Sequence, residues 1–195
     1  MNKIIPLQGI GVMEQRKKIH PHKFTLWVAI ASISMMFAGV TSAYIVKKDQ
    51  ANWFAFDLPG AFWYSTVVII LSSVTIMLAQ RKFKNREMAS YRSLITATFI
   101  LGLLFVSLQV IGFVTLAKSG LTLQKNVSVS FLYVIVGLHM VHVIGGMIAL
   151  MVMFAKAFSK SVRSYNAVPL EVMATYWHFV DFLWIYLLVF LLMIR

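Results

Sequence analysis

The sequence predicts an all-α integral membrane bundle of five transmembrane helices, N-terminus cytoplasmic and C-terminus periplasmic or outside, and three observations carry that expectation. Five apolar runs follow one another along the 195 residues, each near the roughly 20 residues that cross a hydrocarbon core of about 30 Å. Only 12% of the residues are charged while 60% are hydrophobic, about half the charged share of a soluble domain. The basic residues fall between the runs, more of them on one side than on the other.

The runs occupy residues 24–46, 61–79, 94–116, 129–155 and 172–194, which leaves 1–23 as a cytoplasmic N-terminal segment and 24–195 as the membrane domain. None of them contains proline, so no helix needs a proline kink. The fourth is long enough to tilt or to project past the interface. Segments of about ten residues with alternating polarity, the mark of a membrane β-barrel, are absent from the sequence. Lys3, Arg16, Lys17, Lys18 and Lys23 precede the first run. Arg81, Lys82, Lys84, Arg86 and Arg92 follow the second, and Lys156, Lys160 and Arg163 follow the fourth. These thirteen stand against Lys47, Lys48, Lys118, Lys125 and Arg195 on the other side, which by the positive-inside rule puts the N-terminus in the cytoplasm. The short loops leave no room for an inserted domain, and no internal repeat suggests a transporter of inverted repeats.

Cysteine is absent, which removes disulfides, thiolate metal sites and a cysteine nucleophile from consideration. The formal net charge of +12 resides in loops between apolar runs, without the basic, aromatic-interleaved stripe that tracks a phosphate backbone; nucleic-acid binding is not expected. The N-terminal segment lacks a short apolar stretch ending in a small-residue cleavage site, so the first run is expected to remain in the mature protein.

Ionisable groups at membrane depth are costly and either paired or functional. Here they are His139 and His142 in the fourth run and His178 and Asp181 in the fifth, with the neutral Gln109 in the third. Each ionisable pair is three residues apart and so shares a helix face. Three readings are open. The groups bond one another across helices and hold them in register, they handle protons, or they ligate a metal or haem. The first is favoured, because the first three runs offer no further ligands and a carboxylate three residues from a histidine is a ready local partner. Gly102, Gly112, Gly137, Gly145 and Gly146 predict close helix approach in the third and fourth runs, inside the bundle or against another subunit. Ser72, Ser73 and Thr75 can bond back to their own helix and say little alone. Trp177, Trp184 and Tyr186 read as packing residues or interface anchors. His20-Pro21-His22 offers two imidazoles with nothing else to chelate, and reads as a headgroup-level segment.

The fifth run, Tyr176-Trp177-His178-Phe179-Val180-Asp181-Phe182-Leu183-Trp184, closely resembles the YWHFVD-x-x-W signature of the last helix of cytochrome c oxidase subunit III. The segment Gly137-Leu138-His139-Met140-Val141-His142-Val143-Ile144-Gly145-Gly146 is similar to that family's GFHGxHVxxG, with Leu138 and Met140 in place of Phe and Gly. Leu101-Gly102, Phe105 and Gln109 match its LGxxFxxxQ pattern, and Ser65-Thr66, Leu71–Thr75 and Phe37-Ala38-Gly39 give weaker echoes. The resemblance covers about residues 20–195. Two positions depart from it: Ile33 and Gly112 stand where many members carry intramembrane glutamates, so no role of those carboxylates carries over.

The resemblance implies the five-helix core of a family that often has seven helices, in the form some bacterial members take. It implies an accessory, non-catalytic subunit of a proton-pumping haem-copper terminal oxidase in a bacterial inner membrane. Haem and copper are then expected in partner subunits I and II and not in this chain, which would hold phospholipid and support proton uptake by subunit I. His139, His142, His178, Asp181 and Gln109 become an intramembrane polar network, with Tyr176, Trp177, Trp184, Gly137 and Gly145 as packing residues of the family motifs. A quinol oxidase or a nitric-oxide-reductase-associated homologue would share the fold. Outside the family, a stand-alone haem or metal protein would be coloured, and a small transporter would line a polar pore. Membership of a larger respiratory supercomplex has no residue pointing to it.

Overall fold

The computed structural model describes residues 21–48, 59–121, 127–158 and 167–194. They form five α-helices: α1 (Pro21–Lys48), α2 (Ala61–Lys84), α3 (Met88–Lys118), α4 (Val127–Phe158) and α5 (Val168–Ile194). All five are long and apolar enough to cross a membrane. Each contains the apolar run expected for it and extends beyond that run at one or both ends, because a helix need not stop where hydrocarbon stops. The first twenty residues, including His20, and the basic positions Lys125, Lys160, Arg163 and Arg195 lie outside the described residues.

Helices α2, α3, α4 and α5 close a ring in which each packs on the next and α5 returns to α2. Helix α1 lies outside the ring against α4 and α5 and has no backbone contact with α2 or α3. The centre of the ring takes one aromatic group from each member. Trp184 of α5 meets Phe62 of α2 edge-on at 5.6 Å and Phe105 of α3 edge-on at 5.5 Å, and it stacks on the His139 imidazole of α4 at 5.3 Å between centroids. All four are buried. Outward faces carry exposed side chains such as Met35, Val67, Ile111, Val141 and Phe182, the composition that lipid or a neighbouring apolar subunit requires.

Salt links hold Lys23, Lys82 and Lys84 at one end of the bundle. Glu171, at the start of α5, accepts Lys23 Nζ of α1 at 2.8 Å and Lys84 Nζ of α2 at 2.9 Å. Arg92 of α3 donates from Nε to the Ala157 carbonyl of α4 at 2.8 Å and places its guanidinium over the Phe158 ring. Lys82 and Glu87 pair at 2.6 Å in the α2–α3 turn, and the ammonium holds the Glu87 carboxyl below its ordinary range.

Two helices end in the same hydrogen-bond pattern with different residues at its left-handed position. After α2, Glu87 N–H bonds the Lys82 carbonyl and Arg86 N–H the Phe83 carbonyl, with Arg86 at φ 61°. After α3, Leu121 N–H bonds the Leu116 carbonyl and Gly120 N–H the Ala117 carbonyl, with Gly120 at φ 79°. Glycine is the residue this motif favours, because a Cβ clashes there. Arg86→Gly is therefore expected to stabilise the bundle by about 0.5 kcal/mol once glycine's extra unfolded-state entropy is subtracted, and Gly120→Ala to destabilise it by about 1 kcal/mol. Thermal unfolding followed by circular dichroism checks both signs; a lower midpoint for Arg86→Gly would overturn the first.

Candidate functional site

Several of the polar side chains inside the bundle find their partners on one helix, α2. Its hydroxyls recur in pairs seven residues apart, Ser65 with Ser72 and Thr66 with Ser73, a spacing that keeps them on nearly one face. Antiparallel to them, α5 offers Trp177 and Trp184, also seven apart. Trp177 Nε1 donates to Ser72 Oγ at 3.0 Å, and Trp184 Nε1 donates to Thr66 Oγ1 at 2.9 Å. Beside the Trp177 bond, His178 Nδ1 and the Ser73 hydroxyl share a hydrogen bond. The three bonds keep a single register along the two helices and pair indole N–H groups that would otherwise be buried without acceptors.

Helix α3 meets α2 by the same device. Gln109 Nε2 donates to Ser65 Oγ at 2.9 Å, and Ser65 in turn donates to the Phe62 carbonyl. Thr75 and Thr98 share a bond of 2.9 Å. The hydroxyls thus act between helices as well as within their own, which their sequence context does not reveal.

The expected mutual network of His139, His142, His178, Asp181 and Gln109 is not formed in the structure. His178 and Gln109 find their partners on α2. His142 turns back on its own helix, with Nδ1 2.7 Å from the Leu138 carbonyl; since a carbonyl only accepts, the proton sits on Nδ1. Its ring meets Phe37 of α1 edge-on, and its backbone carbonyl accepts the Tyr176 hydroxyl at 3.0 Å. His139, three residues away, occupies the centre of the ring on Trp184, with no hydrogen-bond partner at either nitrogen. Asp181 is buried on α5 with no bond of hydrogen-bonding geometry at either oxygen, although the Ser73 hydroxyl is near enough to interact with it. The reason is directional: residues three apart on a helix differ by about 60° around its axis, enough in a crowded bundle to give neighbours different partner helices.

The glycines divide in the same way. A Cβ on Gly102 would lie 2.5 Å from Met147 Sδ and 3.2 Å from the Trp177 ring. On Gly146 it would lie 3.1 Å from Tyr176 and 3.2 Å from Trp177, and on Gly112 2.6 Å from Phe62. These three admit aromatic rings to the backbone. Gly137 and Gly145, expected to pack, instead have open space where a Cβ would stand. They lie toward the outside of α4, so within this chain they are not packing residues. Tyr176, Trp177 and Trp184 do pack, Trp177 and Trp184 as the two largest fully buried side chains. Ile33, at the position of one family glutamate, packs part-buried against the core, and the space at the other, Gly112, is filled by Phe62.

Among the described residues no group of three or more His, Asp or Glu side chains is placed to hold a metal ion. The centre is closed by aromatic rings. Such an arrangement can fix helices in register with hydrogen bonds in a medium that offers few competing partners.

The family model for cytochrome c oxidase subunit III matches residues 54–194. Among curated proteins, the chain is 25% identical over 166 residues to cytochrome c oxidase subunit 3 of Bacillus sp. (strain PS3), covering 83% of this chain and 80% of that protein. It is 29% identical over 173 residues to the probable cytochrome c oxidase subunit 3 of Mycobacterium tuberculosis (strain ATCC 25618 / H37Rv), covering 86% and 85%. It is also 24% identical over 167 residues to the cytochrome bo(3) ubiquinol oxidase subunit 3 of Pseudomonas aeruginosa, covering 83% and 79%. Five apolar helices and bacterial relatives of this kind make it a multi-pass protein of a bacterial inner membrane. The ring of helices bolted together by its own aromatic and hydroxyl side chains belongs to the cytochrome c oxidase subunit III family of haem-copper oxidases.

Proposed function

We propose that the chain is an accessory, non-catalytic subunit III of a proton-pumping haem-copper terminal oxidase that takes electrons from cytochrome c. In this reading its N-terminal side is cytoplasmic, and it packs beside subunit I, which with subunit II carries the haem and copper. Its part is to hold subunit I in shape and to support proton uptake during turnover. The observation that supports this best is the closed centre of Phe62, Phe105, His139 and Trp184. Each helix of the ring gives one buried ring to this centre, as the members of a scaffold do. Its outward faces stay apolar. A quinol-oxidising complex is the second reading, favoured by the similarity to the Pseudomonas aeruginosa ubiquinol oxidase subunit.

The test is to tag the chain, purify it from its native membrane in mild detergent, and identify what accompanies it. A haem-bearing subunit I and a copper-bearing subunit II are expected, with the haem spectrum lost when this chain is isolated from them. Oxidation of reduced cytochrome c or of a quinol by the complex then separates the two readings. His178→Leu and Asp181→Leu are expected to lower retention of this chain in the complex several-fold while leaving haem per subunit I unchanged. Unchanged retention together with lost haem or copper would overturn the accessory reading and make these residues ligands.

A further inference from the structure

Ser73, His178 and Asp181 meet where α2 packs on α5. Asp181 follows Glu171, at the end of the bundle that carries Lys23 and Lys84, by ten residues, or about 15 Å of helix. That is half of a hydrocarbon core of about 30 Å. Asp181 is buried and forms no salt bridge among the described residues. The helices packed on α5 bring it no cation. Helix α2 presents the hydroxyls of Ser72 and Ser73, and Ser72 already accepts the Trp177 indole. Helix α4 carries His139, stacked on Trp184, and His142, turned back on the Leu138 carbonyl. The charged residues of α1 and α2 stand at helix ends. A carboxylate buried without a cation is costly, and a neutral acid is much less so.

The Ser73 hydroxyl joins the other two groups. It shares a hydrogen bond with His178 Nδ1 and is near enough to Asp181 to interact with it. A hydroxyl donates one proton and accepts on its lone pairs, so the bonds on its two sides run in one direction at a time. When Asp181 is ionised, Ser73 donates to the carboxylate and accepts from Nδ1–H. When Asp181 is the neutral acid, it donates to Ser73, and Ser73 donates to a bare Nδ1 while the imidazole proton sits on Nε2. The two forms differ by one proton and by the reversal of both bonds. The order is not that of a hydrolase triad, whose carboxylate bonds the imidazole and not the serine.

His178 is the outer member of the three. Glu171, Thr175 and His178, four and then three residues apart, share one face of α5. Asp181 sits about 60° round from His178 toward the interior. The shared face looks into the groove between α1 and α2, which both pack on α5 and have no backbone contact with each other. At the lysine end the groove widens into a cavity of about 290 Å³ lined by Lys23, Gln80, Lys84, Glu171 and Thr175. It is polar and has room for several waters. Thr175 precedes His178 by three residues, or about 4.5 Å of helix. With Nδ1 committed to Ser73, Nε2 of the half-buried imidazole is the nitrogen left to take a proton from that side.

We propose that His178 and Ser73 relay a proton between the lysine-lined cavity and the buried Asp181 carboxyl, which stores it at membrane depth. A proton arriving at Nε2 frees the one on Nδ1, which passes to Ser73 Oγ as Ser73 gives its own to Asp181. The carboxylate becomes a neutral acid. Serine and imidazole end with the proton counts they began with, and the imidazole has changed tautomer. Release runs the same steps backwards. The relay needs only the contact between α2 and α5 and no partner chain, so it stands apart from the oxidase reading.

The experiment follows the carboxyl C=O stretch by infrared difference spectroscopy on the full chain with whatever subunits co-purify. At neutral pH the wild type should show a protonated-acid band that Asp181→Asn removes. On transfer to deuterium oxide that band should shift within the mixing time, as the acid proton exchanges. Ser73→Ala and His178→Phe should each keep the band and slow its exchange about a hundredfold, the scale of removing a positioned proton-transfer group. Ser73→Thr keeps the hydroxyl and should exchange as fast as the wild type. So should Thr75→Val, which removes a hydroxyl two residues along α2. Circular dichroism confirms that each variant is folded. The absence of an Asp181-dependent acid band at every pH from mildly acid to mildly alkaline overturns the proposal. So does exchange that stays fast in both Ser73→Ala and His178→Phe, which would show that the proton reaches Asp181 by another route.

Discussion

Replacing Trp177 with alanine is expected to destabilise the bundle by about 3–5 kcal/mol, the range for truncating a large buried aromatic. Within lipid the hydrophobic effect does not press helices together, so packing and interhelical hydrogen bonds carry their association. Trp177 supplies both to four helices at once. It belongs to α5, its indole N–H reaches Ser72 of α2, and its ring would lie 3.2 Å from a Cβ on Gly102 of α3 or on Gly146 of α4. The alanine variant leaves a cavity between two glycine backbones that have no side chains with which to fill it. The hydrogen bond can be separated from the packing by Trp177→Phe, Ser72→Ala and the double variant. A coupling of about 1 kcal/mol is expected from that cycle. The measurement is unfolding of the purified protein in mixed micelles, with the fraction folded read by circular dichroism. Strict additivity would show that the indole–serine bond contributes nothing.

The second large effect is expected at Gly112, where a Cβ would lie 2.6 Å from Phe62 Cε1 and 3.1 Å from Cδ1. The obstacle is a rigid ring, itself fixed edge-on against Trp184 and Phe113, so it cannot swing aside as a methionine would. Gly112→Ala is expected to cost about 1–3 kcal/mol by overpacking. Gly112→Glu, which restores the residue many relatives are expected to carry, should prevent assembly, since it adds an ionisable group at membrane depth to the same clash. Phe62→Leu shortens the obstacle, and in its background Gly112→Ala should cost under about 0.5 kcal/mol. The comparison with Gly102→Ala is informative, because the first obstacle there is the flexible Met147 side chain and the cost should be smaller. A Gly112→Ala protein as stable as the wild type would mean that Phe62 has another place to go, and the argument would fail.

Both effects rest on contacts that hydropathy does not encode. The number of helices, their approximate spans and the segregation of basic residues were legible because they depend on local composition. About 20 apolar residues are needed to cross a bilayer whatever they pack against, and Lys84 or Arg92 marks the end of a run by its own cost of burial. The resemblance carried by Tyr176–Trp184 was legible for a different reason, since that motif is an unbroken string of nine residues on one helix.

What stayed hidden was the facing of each helix. A soluble helix announces its inner face by an apolar stripe, but these helices are apolar all round, and such a pattern has no direction to read. Ser72 and Ser73 therefore looked like residues bonding to their own carbonyls, and only the placement of α5 beside α2 makes them acceptors or partners for Trp177 and His178. The histidines and Asp181 looked like mutual partners because they were the conspicuous polar groups, while the hydroxyls that serve them were common residues. Nothing in its sequence context marks Glu171, although it joins three helices.

The sequence by itself determined that this protein is a five-helix membrane bundle with one strongly basic end, because solvation of each segment by lipid or water is a property of that segment alone. Only the tertiary structure decided that α2 carries the acceptors, that Gly102, Gly112 and Gly146 admit aromatic rings while Gly137 and Gly145 face outward, and that a groove with a lysine-lined end lies between α1 and α2. Those are relations between helices distant in the chain, set by how side chains interlock once the helices are already formed.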